Sequence, residues 1–225
     1  MTSFDQLTED QQKLILKHLE LVIDANKTTN LTRIDTFDEG MLLHVEDSLV
    51  GLDELNSAPA GLYGDMGTGA GYPGLPLAIV TGRETTLIDA RLKKTQILDS
   101  FIETLGLRGQ VSTYAGRAEL LARTQPKRYA ALTARALSKL SVLMELASPL
   151  LQKGGVLICY KAQVDDEELA NAKRIEDLVG MTINSDRTLK LSDNETTRRI
   201  ITFKKIYEPK TKLPRQEGMA QKKPL

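Results

Sequence analysis

The stretch GDMGTGAGYPGLPLA at residues 64–78 places five glycines and two prolines in fifteen positions. Such a density of helix and strand breakers predicts a tight loop, yet apolar segments flank it on both sides. The segment before it, GLYGDM, is typical of a short strand, and the spacing Gly69-x-Gly71-x-x-Gly74 matches the loop that joins a strand to a helix around a nucleotide. The stretch therefore predicts an α/β fold that holds a nucleotide-like ligand.

Strand and helix patterns alternate along the chain after residue 60. Strands are predicted at TTLIDA, QVSTY, YAALTAR and VLICY, and helices at LKKTQILDSFIETLG, LSKLSVLMELASPLLQKGG and DDEELANAKRIEDLVG. Two later strands, near residues 182–190 and 198–204, are predicted to form a closing hairpin. This order predicts a mostly parallel sheet with helices on both faces and an antiparallel closing strand.

Helical patterns occupy the region before residue 60. Thr8 with Gln11 and Thr36 with Glu39 each have the spacing of a capping box. Apolar residues at helical intervals follow each box, which predicts two helices. We expect these helices to pack against one side of the α/β body.

Charge is distributed unevenly, although the formal net charge is zero. Residues 1–60 carry 4 Lys and Arg against 12 Asp and Glu, whereas residues 204–225 carry 7 against 2. The basic end is either a solvated, frayed terminus or an arm that seeks phosphate. We expect a helical extension at 1–58, an α/β domain at 59–205 and a basic tail at 206–225.

Composition limits the setting in which the protein works. No run of eighteen apolar residues occurs, and the N-terminal sequence is polar and acidic, so we expect neither a membrane span nor a secretory signal. The single cysteine, Cys159, excludes an internal disulfide framework and favours a reducing, cytoplasmic location. Two histidines and one cysteine offer no paired metal-ligand spacing, so no metal site is predicted.

Two acidic residues distinguish between possible cofactors. Asp65, at the tip of the first strand, would face a pyrophosphate with like charge, at a cost of several kcal/mol at an effective dielectric constant of ~20. Pro73 also interrupts the turn in which a dinucleotide loop offers free N–H donors. Asp89 ends the second strand, where a carboxylate accepts both ribose hydroxyls of an adenosine. A cofactor with an adenosine but no phosphate removes the conflict, and S-adenosylmethionine adds an ammonium and a sulfonium that Asp65 attracts.

A group of motifs then resembles one known family. These are NLTRI (30–34), HVEDSL (44–49), DMGTGAGYPGLPLAI (65–79), LIDAR (87–91), LGL (105–107), GRAE (116–119), ARA (134–136) and the terminal PRQEG…KKPL. Together they resemble the bacterial 16S rRNA guanine-N7 methyltransferase family, also called glucose-inhibited division protein B, from about residue 25 to the C-terminus. The resemblance implies a Rossmann-like class I S-adenosylmethionine-dependent methyltransferase. Its substrate would be 16S ribosomal RNA of the small ribosomal subunit, and we expect a monomer.

The resemblance also implies residue roles. The resemblance implies cofactor contacts at Gly67, Tyr72, Ala118, Glu119 and Arg135. The glycine spacing and the positions of the two acidic residues independently predict cofactor contacts at Asp65, Gly69, Gly71 and Asp89. Candidate RNA contacts are Asn30, His44, Arg117, Lys161 and Arg198. Tyr72 stands where the family is expected to carry Phe or Leu, a change that keeps an apolar face.

Structural roles stay open for several of these residues. Glu119 is also an ordinary acid for the first turn of a helix, and Arg135 is able to pair with a surface carboxylate. Lys161 is also consistent with a solvated lysine at the end of a strand. Asn30 is also consistent with a residue that turns the backbone. Cys159 is expected in the core.

The implied reaction needs little acid–base chemistry. Guanine N7 carries a lone pair and no proton, so catalysis would depend on aligning the reacting atoms. A flipped base is usually stacked on a side chain, and Tyr72 and Tyr160 are candidates for that role. In this context the basic tail is expected to contact rRNA. Two alternatives stay open: a methyltransferase acting on another RNA or a small molecule, and a nicotinamide-dependent oxidoreductase.

Overall fold

The computed structural model describes residues 3–225. The strands are β1 (Leu62–Met66), β2 (Thr85–Asp89), β3 (Val111–Ala115), β4 (Tyr129–Arg135), β5 (Leu151–Lys161), β6 (Met181–Lys190) and β7 (Thr197–Lys205). The α-helices are α1 (Glu9–Thr29), α2 (Phe37–Gly40), α3 (Asp47–Leu49), α4 (Leu52–Ser57), α5 (Gly74–Thr81), α6 (Leu92–Thr104), α7 (Ala118–Thr124), α8 (Leu140–Ala147), α9 (Asp166–Val179) and α10 (Met219–Lys222).

The seven strands form one sheet in the order β3-β2-β1-β4-β5-β7-β6. Strands β1 to β5 pair in parallel, and β7 enters antiparallel between β5 and β6. The predicted α/β class, with an antiparallel closing hairpin, is confirmed. The strand order reverses between β1 and β4, and ligands of open α/β sheets bind at the carboxyl ends of the strands beside such a reversal.

The N-terminal helices pack against the body through an apolar face. Thr8 and Gln11 form the reciprocal capping box at the start of α1. Ile15, Leu19 and Val22 of α1 are fully buried in a cluster that also contains side chains of α5 and α6. Helix α1 is therefore part of the core that lies beside the glycine loop.

The second N-terminal helix is interrupted. The Thr36 hydroxyl accepts a hydrogen bond from the Glu39 N–H, as a cap should. A π-helical turn at Met41–Glu46 then separates α2 from α3. Wide turns of this kind often occur at functional sites because they redirect side chains, and this one carries His44 towards the sheet.

The helix predicted to run to Gly154-Gly155 is shorter than expected. Helix α8 ends at Ala147, and the following residues from Leu151 onward belong to β5. Pro149 lacks the N–H that would continue the helix, and Gly154 adopts a positive φ of 84° that bends the strand. Strand pairing has here overridden the apolar periodicity.

The chain after β7 folds back onto α7 and α8. Ala220 of α10 is 1% exposed and belongs to the core cluster that contains side chains of α8. The interpretation as a frayed terminus is therefore wrong. Within residues 3–225, no helix combines the length and the hydropathy needed to cross a bilayer.

Candidate active site

A cleft of about 580 Å³ opens at the carboxyl ends of β1, β4 and β5. Its walls come from the glycine loop, the segment after α1, the π-helical turn and the ends of β4, β5 and β7. The cleft lies at the position that the strand order predicts for a ligand.

Asp65 lies beneath the glycine loop and is fully buried. Its carboxylate accepts hydrogen bonds from the Gly74 N–H at 3.0 Å and from the Thr133 hydroxyl at 2.7 Å. Burial raises the pKa of this carboxyl, and the hydrogen bonds act in the opposite direction. Asp65 therefore ties the first turn of α5 to the core of the sheet. Its attraction for a cofactor cation stays a prediction.

The loop is also tied to the second strand. The Gly67 N–H donates to the Ile88 carbonyl at 2.8 Å, and the Gly69 N–H donates to Asp89 Oδ2 at 3.2 Å. The other carboxylate oxygen of Asp89 accepts from the Arg91 N–H at 2.9 Å. Asp89 is thereby fixed at the end of β2 while part of its surface stays open.

A second cavity of about 80 Å³ adjoins the cleft and shares Gly67 with it. Its lining includes Asp89, Ala118 and Glu119, three of the predicted cofactor residues. A Cβ added at Gly67 would approach Leu137 Cδ1 to 2.7 Å. A side chain at position 67 would thus crowd the passage between the two cavities.

Tyr72 is enclosed between two histidines. Its ring stacks on His44 at a centroid distance of 4.3 Å and on His18 at 4.4 Å. His18 comes from α1, and its Nε2 hydrogen bonds to the Ala70 carbonyl at 2.9 Å. Burial lowers the pKa of His18 to about 4, so this ring is neutral near neutral pH. Both faces of Tyr72 are covered, and the expectation that it stacks a flipped base is wrong.

Tyr160 does not offer a stacking face either. It is 3% exposed, and its hydroxyl donates to the Ser48 carbonyl at 2.8 Å. The ring packs in the apolar cluster that also contains residues of α4 and β7. Its role in this structure is to join β5 to the N-terminal helices.

His44 is held in one tautomer. Arg135 Nη2 lies 3.3 Å from His44 Nδ1 and donates to it, so the other nitrogen, Nε2, carries the proton. That nitrogen lies 3.1 Å from the Thr32 hydroxyl oxygen. Burial first, and then the charge of Arg135, lower the pKa of His44 to about 3. His44 is therefore a neutral ring with both nitrogens engaged.

Asp47 joins two of the predicted arginines. Arg135 Nη1 donates to Asp47 Oδ2 at 2.8 Å, and Arg198 Nε donates to Asp47 Oδ1 at 2.7 Å. The Asp47 side chain is 4% exposed, so Arg135 pairs with a buried carboxylate and not with a surface one. Asp47 is not among the residues predicted from the sequence, although it lies three residues after His44 in the motif HVEDSL.

The other candidate RNA contacts lie in different surroundings. Lys161 lines the cleft but pairs with Glu168 at 2.8 Å. Asn30 ends α1 in the left-handed conformation, which is its expected role in a turn, and lines a neighbouring surface pocket. Arg117 is exposed beside the smaller cavity and does not join the others. The structure thus brings His44, Lys161 and Arg198 into one cleft.

The two cavities fit an adenosine-bearing cofactor. The smaller one offers a carboxylate at the end of β2, where a ribose would be held. The larger one is lined by Tyr72, whose hydroxyl is buried and has no hydrogen-bond partner among the described residues. Such a group is costly unless a ligand satisfies it.

The chain is similar in sequence to a known protein family over most of its length. The family model described as rRNA small subunit methyltransferase G matches residues 11–198. The chain belongs to this family. A relative from Lactobacillus johnsonii, named ribosomal RNA small subunit methyltransferase G, is 34% identical over 98% of this chain and 94% of its own length. A relative of the same name from Limosilactobacillus reuteri is 35% identical over 97% and 93%.

Solved structures share the fold at low sequence identity. Precorrin-6y C5,15-methyltransferase from Geobacter metallireducens matches with a TM-score of 0.52 at 13% identity, over 70% of this chain and 87% of that one. Geranyl diphosphate C-methyltransferase from Streptomyces coelicolor, solved with S-adenosyl-L-homocysteine, matches with a TM-score of 0.56 at 11% identity, over 71% and 78%. The predicted class I methyltransferase fold is confirmed.

The predicted cofactor residues are distributed over the site in three groups. Gly67, Gly69, Tyr72 and Arg135 line the cleft, and Asp89, Ala118 and Glu119 line the smaller cavity with Gly67. Asp65 and Gly71 line neither cavity: Asp65 is buried beneath the loop, and Gly71 is a buried residue of the loop itself. Their direct contacts with a cofactor stay predictions.

The unpartnered hydroxyl of Tyr72 provides a test. Replacing Tyr72 by Phe removes a buried polar atom without a partner. We expect the ligand-free protein to gain about 1 kcal/mol in the free energy of unfolding, and S-adenosylhomocysteine to bind roughly fivefold more weakly. Urea unfolding and calorimetric titration measure the two effects.

Tyr160→Phe is the matched control, because that hydroxyl is equally buried but donates to Ser48. It is expected to lose about 1 kcal/mol of stability. If Tyr72→Phe also lost stability and kept full affinity for S-adenosylhomocysteine, the Tyr72 hydroxyl would have no ligand to bind.

Proposed function

We propose that this protein transfers the methyl group of S-adenosyl-L-methionine to N7 of one guanine in 16S ribosomal RNA. The observation that carries the proposal is the cleft at the carboxyl edge of the sheet. In that cleft the glycine loop meets His44, Arg135, Lys161 and Arg198, in a chain that belongs to the rRNA small subunit methyltransferase G family. The cofactor supplies an activated methyl group on a sulfonium. The residues of this chain bind and orient the two reactants.

The cofactor would occupy both cavities. Asp89 would accept the ribose hydroxyls, and Ala118 and Glu119 would line the adenine. Gly67 would lie at the junction, where its missing side chain allows the close approach of the ligand. The methyl-bearing end would then point into the larger cavity, towards Tyr72 and Arg135.

The charges of the cleft favour a polyanion. Arg135 and Arg198 share the single carboxylate of Asp47, which leaves one uncompensated positive charge in the cleft. Lys161 is neutralised by Glu168, so it contributes less to binding RNA than its position in the sequence implies. A net positive cleft attracts phosphate groups and aids the encounter with RNA.

The site is suited to a nucleophile that has no proton to lose. Among the described residues of the cleft, His44 has both nitrogens engaged and Asp47 is bound by two arginines. Neither group is free to remove a proton. Guanine N7 attacks through a lone pair, so alignment of the base with the methyl group is sufficient. Exocyclic amino groups would need a base that these residues do not supply.

The proposal includes two finer points. The substrate is 16S rRNA, either free or within the small ribosomal subunit, and the enzyme acts as a monomer. Family membership does not favour a small-molecule methyltransferase or a nicotinamide-dependent oxidoreductase. The location of Asp65 directly beneath the loop agrees with a cofactor that carries no pyrophosphate.

Transfer of a tritiated methyl group tests the proposal. Small subunits and deproteinised 16S rRNA, both from a strain that lacks the enzyme, are incubated with labelled S-adenosylmethionine. The labelled base is then located by cleavage specific for N7-methylguanine and by primer extension. We expect label on a single guanine, and the comparison of the two substrates shows which form is used. Light scattering during gel filtration measures the oligomeric state.

Two variants give the control. Gly67→Asp is expected to abolish transfer, because a side chain at this position crowds the junction of the cavities. Gly82→Asp changes another glycine with positive φ, one whose added Cβ meets nothing within 4 Å, and is expected to keep activity. Binding of S-adenosylhomocysteine without any incorporation into rRNA would overturn the rRNA assignment. A wild-type protein that neither binds S-adenosylhomocysteine nor transfers label to rRNA would overturn the cofactor assignment.

A further inference from the structure

The smaller cavity has one lining residue from an unexpected part of the chain. Gln221 of α10 stands beside Asp89, Ala118 and Glu119, although it comes about a hundred positions later in the sequence. The residue is exposed and lines the cavity, and its side-chain amide makes no hydrogen bond within residues 3–225. A donor and an acceptor are therefore both available at this wall.

The segment that carries Gln221 is firmly attached to the body. Arg215 donates to both carboxylate oxygens of Glu145, at 2.7 and 2.6 Å, and the Glu145 side chain is 3% exposed. A bidentate pair with a buried carboxylate fixes position as well as charge. Arg215 therefore anchors the terminal segment, residues 213–225, on α8.

A second anchor reaches the cavity itself. The Gly218 N–H donates to Glu119 Oε1 at 2.8 Å. Glu119 is 4% exposed and is one of the predicted cofactor residues. One oxygen of its carboxylate is thus used by the terminal segment, which couples the position of that segment to the wall of the cavity. The Arg123 guanidinium adds a bond to the Arg215 carbonyl at 3.1 Å.

We propose that the terminal segment 213–225 is part of the cofactor site, and that the Gln221 amide binds the edge of the adenine base. This inference rests on the proposed cofactor. It assigns to the basic tail a role in adenosine recognition in place of the rRNA contact expected from its charge. An amide matches adenine because its N–H₂ donates to a ring nitrogen and its oxygen accepts from the exocyclic amino group, as in base recognition elsewhere.

The local charges agree with this assignment. Lys210 pairs with Asp177 at 2.6 Å, and Arg215 pairs with Glu145. Two of the seven basic residues between positions 204 and 225 are therefore paired with acids of the body, Lys210 at the surface and Arg215 on a buried carboxylate. The remaining charge is smaller than the sequence implies, which weakens the case for an electrostatic arm.

Calorimetric titration of the full-length protein with S-adenosylhomocysteine tests the proposal. Gln221→Ala is expected to bind roughly tenfold more weakly than the wild type, the net effect of losing both hydrogen bonds of an exposed amide. Lys222→Ala is the matched control, because its exposed side chain is adjacent to Gln221 and lines neither cavity. Lys222→Ala should retain the affinity of the wild type.

A cofactor analogue identifies the group that is recognised. S-Inosylhomocysteine carries an oxygen where the adenine has its amino group, so it should bind the wild type more weakly than S-adenosylhomocysteine. In Gln221→Ala this preference should shrink by about the same factor as the affinity falls. An equal preference in both proteins would overturn the contact with the adenine edge.

Limited proteolysis supplies a readout that does not depend on Gln221. Trypsin cleaves after Lys222, whereas the bond after Lys223 precedes Pro224 and resists the enzyme, and S-adenosylhomocysteine is expected to slow cleavage after Lys222 several-fold by stabilising the bound segment. An unchanged cleavage rate, together with full affinity of Gln221→Ala, would overturn the proposal. Full affinity for S-adenosylhomocysteine with weaker binding of rRNA would assign the segment to RNA instead. A wild type that binds no S-adenosylhomocysteine would instead refute the proposed function.

Discussion

Replacing Asp47 by Ala is expected to destabilise the protein by about 3–5 kcal/mol and to abolish methyl transfer. The change leaves the guanidinium groups of Arg135 and Arg198 without their shared carboxylate, and both side chains are less than one-fifth exposed. Breaking a buried ion pair from one side costs far more than the pair contributes, because the remaining charge is left unpaired. Arg135 would also lose one of the contacts that hold it against His44 and Tyr72. Urea unfolding at neutral pH measures the loss of stability.

Asp53→Ala is the control for this change. Asp53 is an exposed acid a few residues further along the same helical region, and its removal is expected to change stability by about 0.5 kcal/mol or less. A double-mutant cycle with Arg198→Ala should show strong coupling, since the two residues are in direct contact. Equal effects of Asp47→Ala and Asp53→Ala would show that the two arginines do not need the carboxylate.

Gly71→Ala is expected to cost about 3 kcal/mol and to prevent binding of S-adenosylhomocysteine. Gly71 has a φ of 94°, where a residue with a side chain is strained. An added Cβ would also approach Leu75 Cδ1 to 2.9 Å, His18 Nε2 to 3.0 Å and Leu98 Cδ2 to 3.1 Å. Overpacking of this kind adds its own penalty, and here it would displace the histidine that supports Tyr72. Thermal unfolding of the ligand-free protein separates stability from binding.

Gly69→Ala isolates the backbone contribution. Gly69 also has a positive φ, of 60°, but an added Cβ would meet nothing closer than 3.9 Å. We expect it to cost about 1 kcal/mol, the penalty of the left-handed conformation alone. If the two variants lost equal stability, crowding of Leu75, His18 and Leu98 by the added Cβ would have no cost, and the overpacking argument would be refuted.

The sequence was sufficient to predict the sheet and the loop. Both signals are local, since strand patterns and glycine spacing extend over fewer than twenty residues. Asp89 was placed correctly at the end of β2 for the same reason. Helix α8 was predicted too long because its apolar periodicity continues into residues that pair with β4. There the tertiary pairing outweighs local propensity.

The contacts that shape the cleft could not be predicted from local sequence patterns. The pairing of Asp47 with Arg198 joins residues 151 positions apart, and that of Glu145 with Arg215 joins residues 70 apart. No periodic pattern encodes which acid meets which base over such distances. The enclosure of Tyr72 was missed similarly, because His18 reaches it from the first long helix. Charge counts located the basic tail but gave no information about its internal partners.

The separation between Asp47 and Arg198 also determines when the cleft is completed during synthesis. The hydrogen bond from Gly69 to Asp89 closes a segment of twenty positions, so the cradle of the glycine loop is able to form early on a growing chain. The arginine pair on Asp47 requires β7, so it forms only after residues 197–205 have been made and β7 has entered the sheet between β5 and β6. Domains fold from the N-terminal end as they emerge, and contacts between distant positions form last. A nascent chain therefore builds the cradle of the glycine loop well before it acquires the wall of the cleft that carries the two arginines.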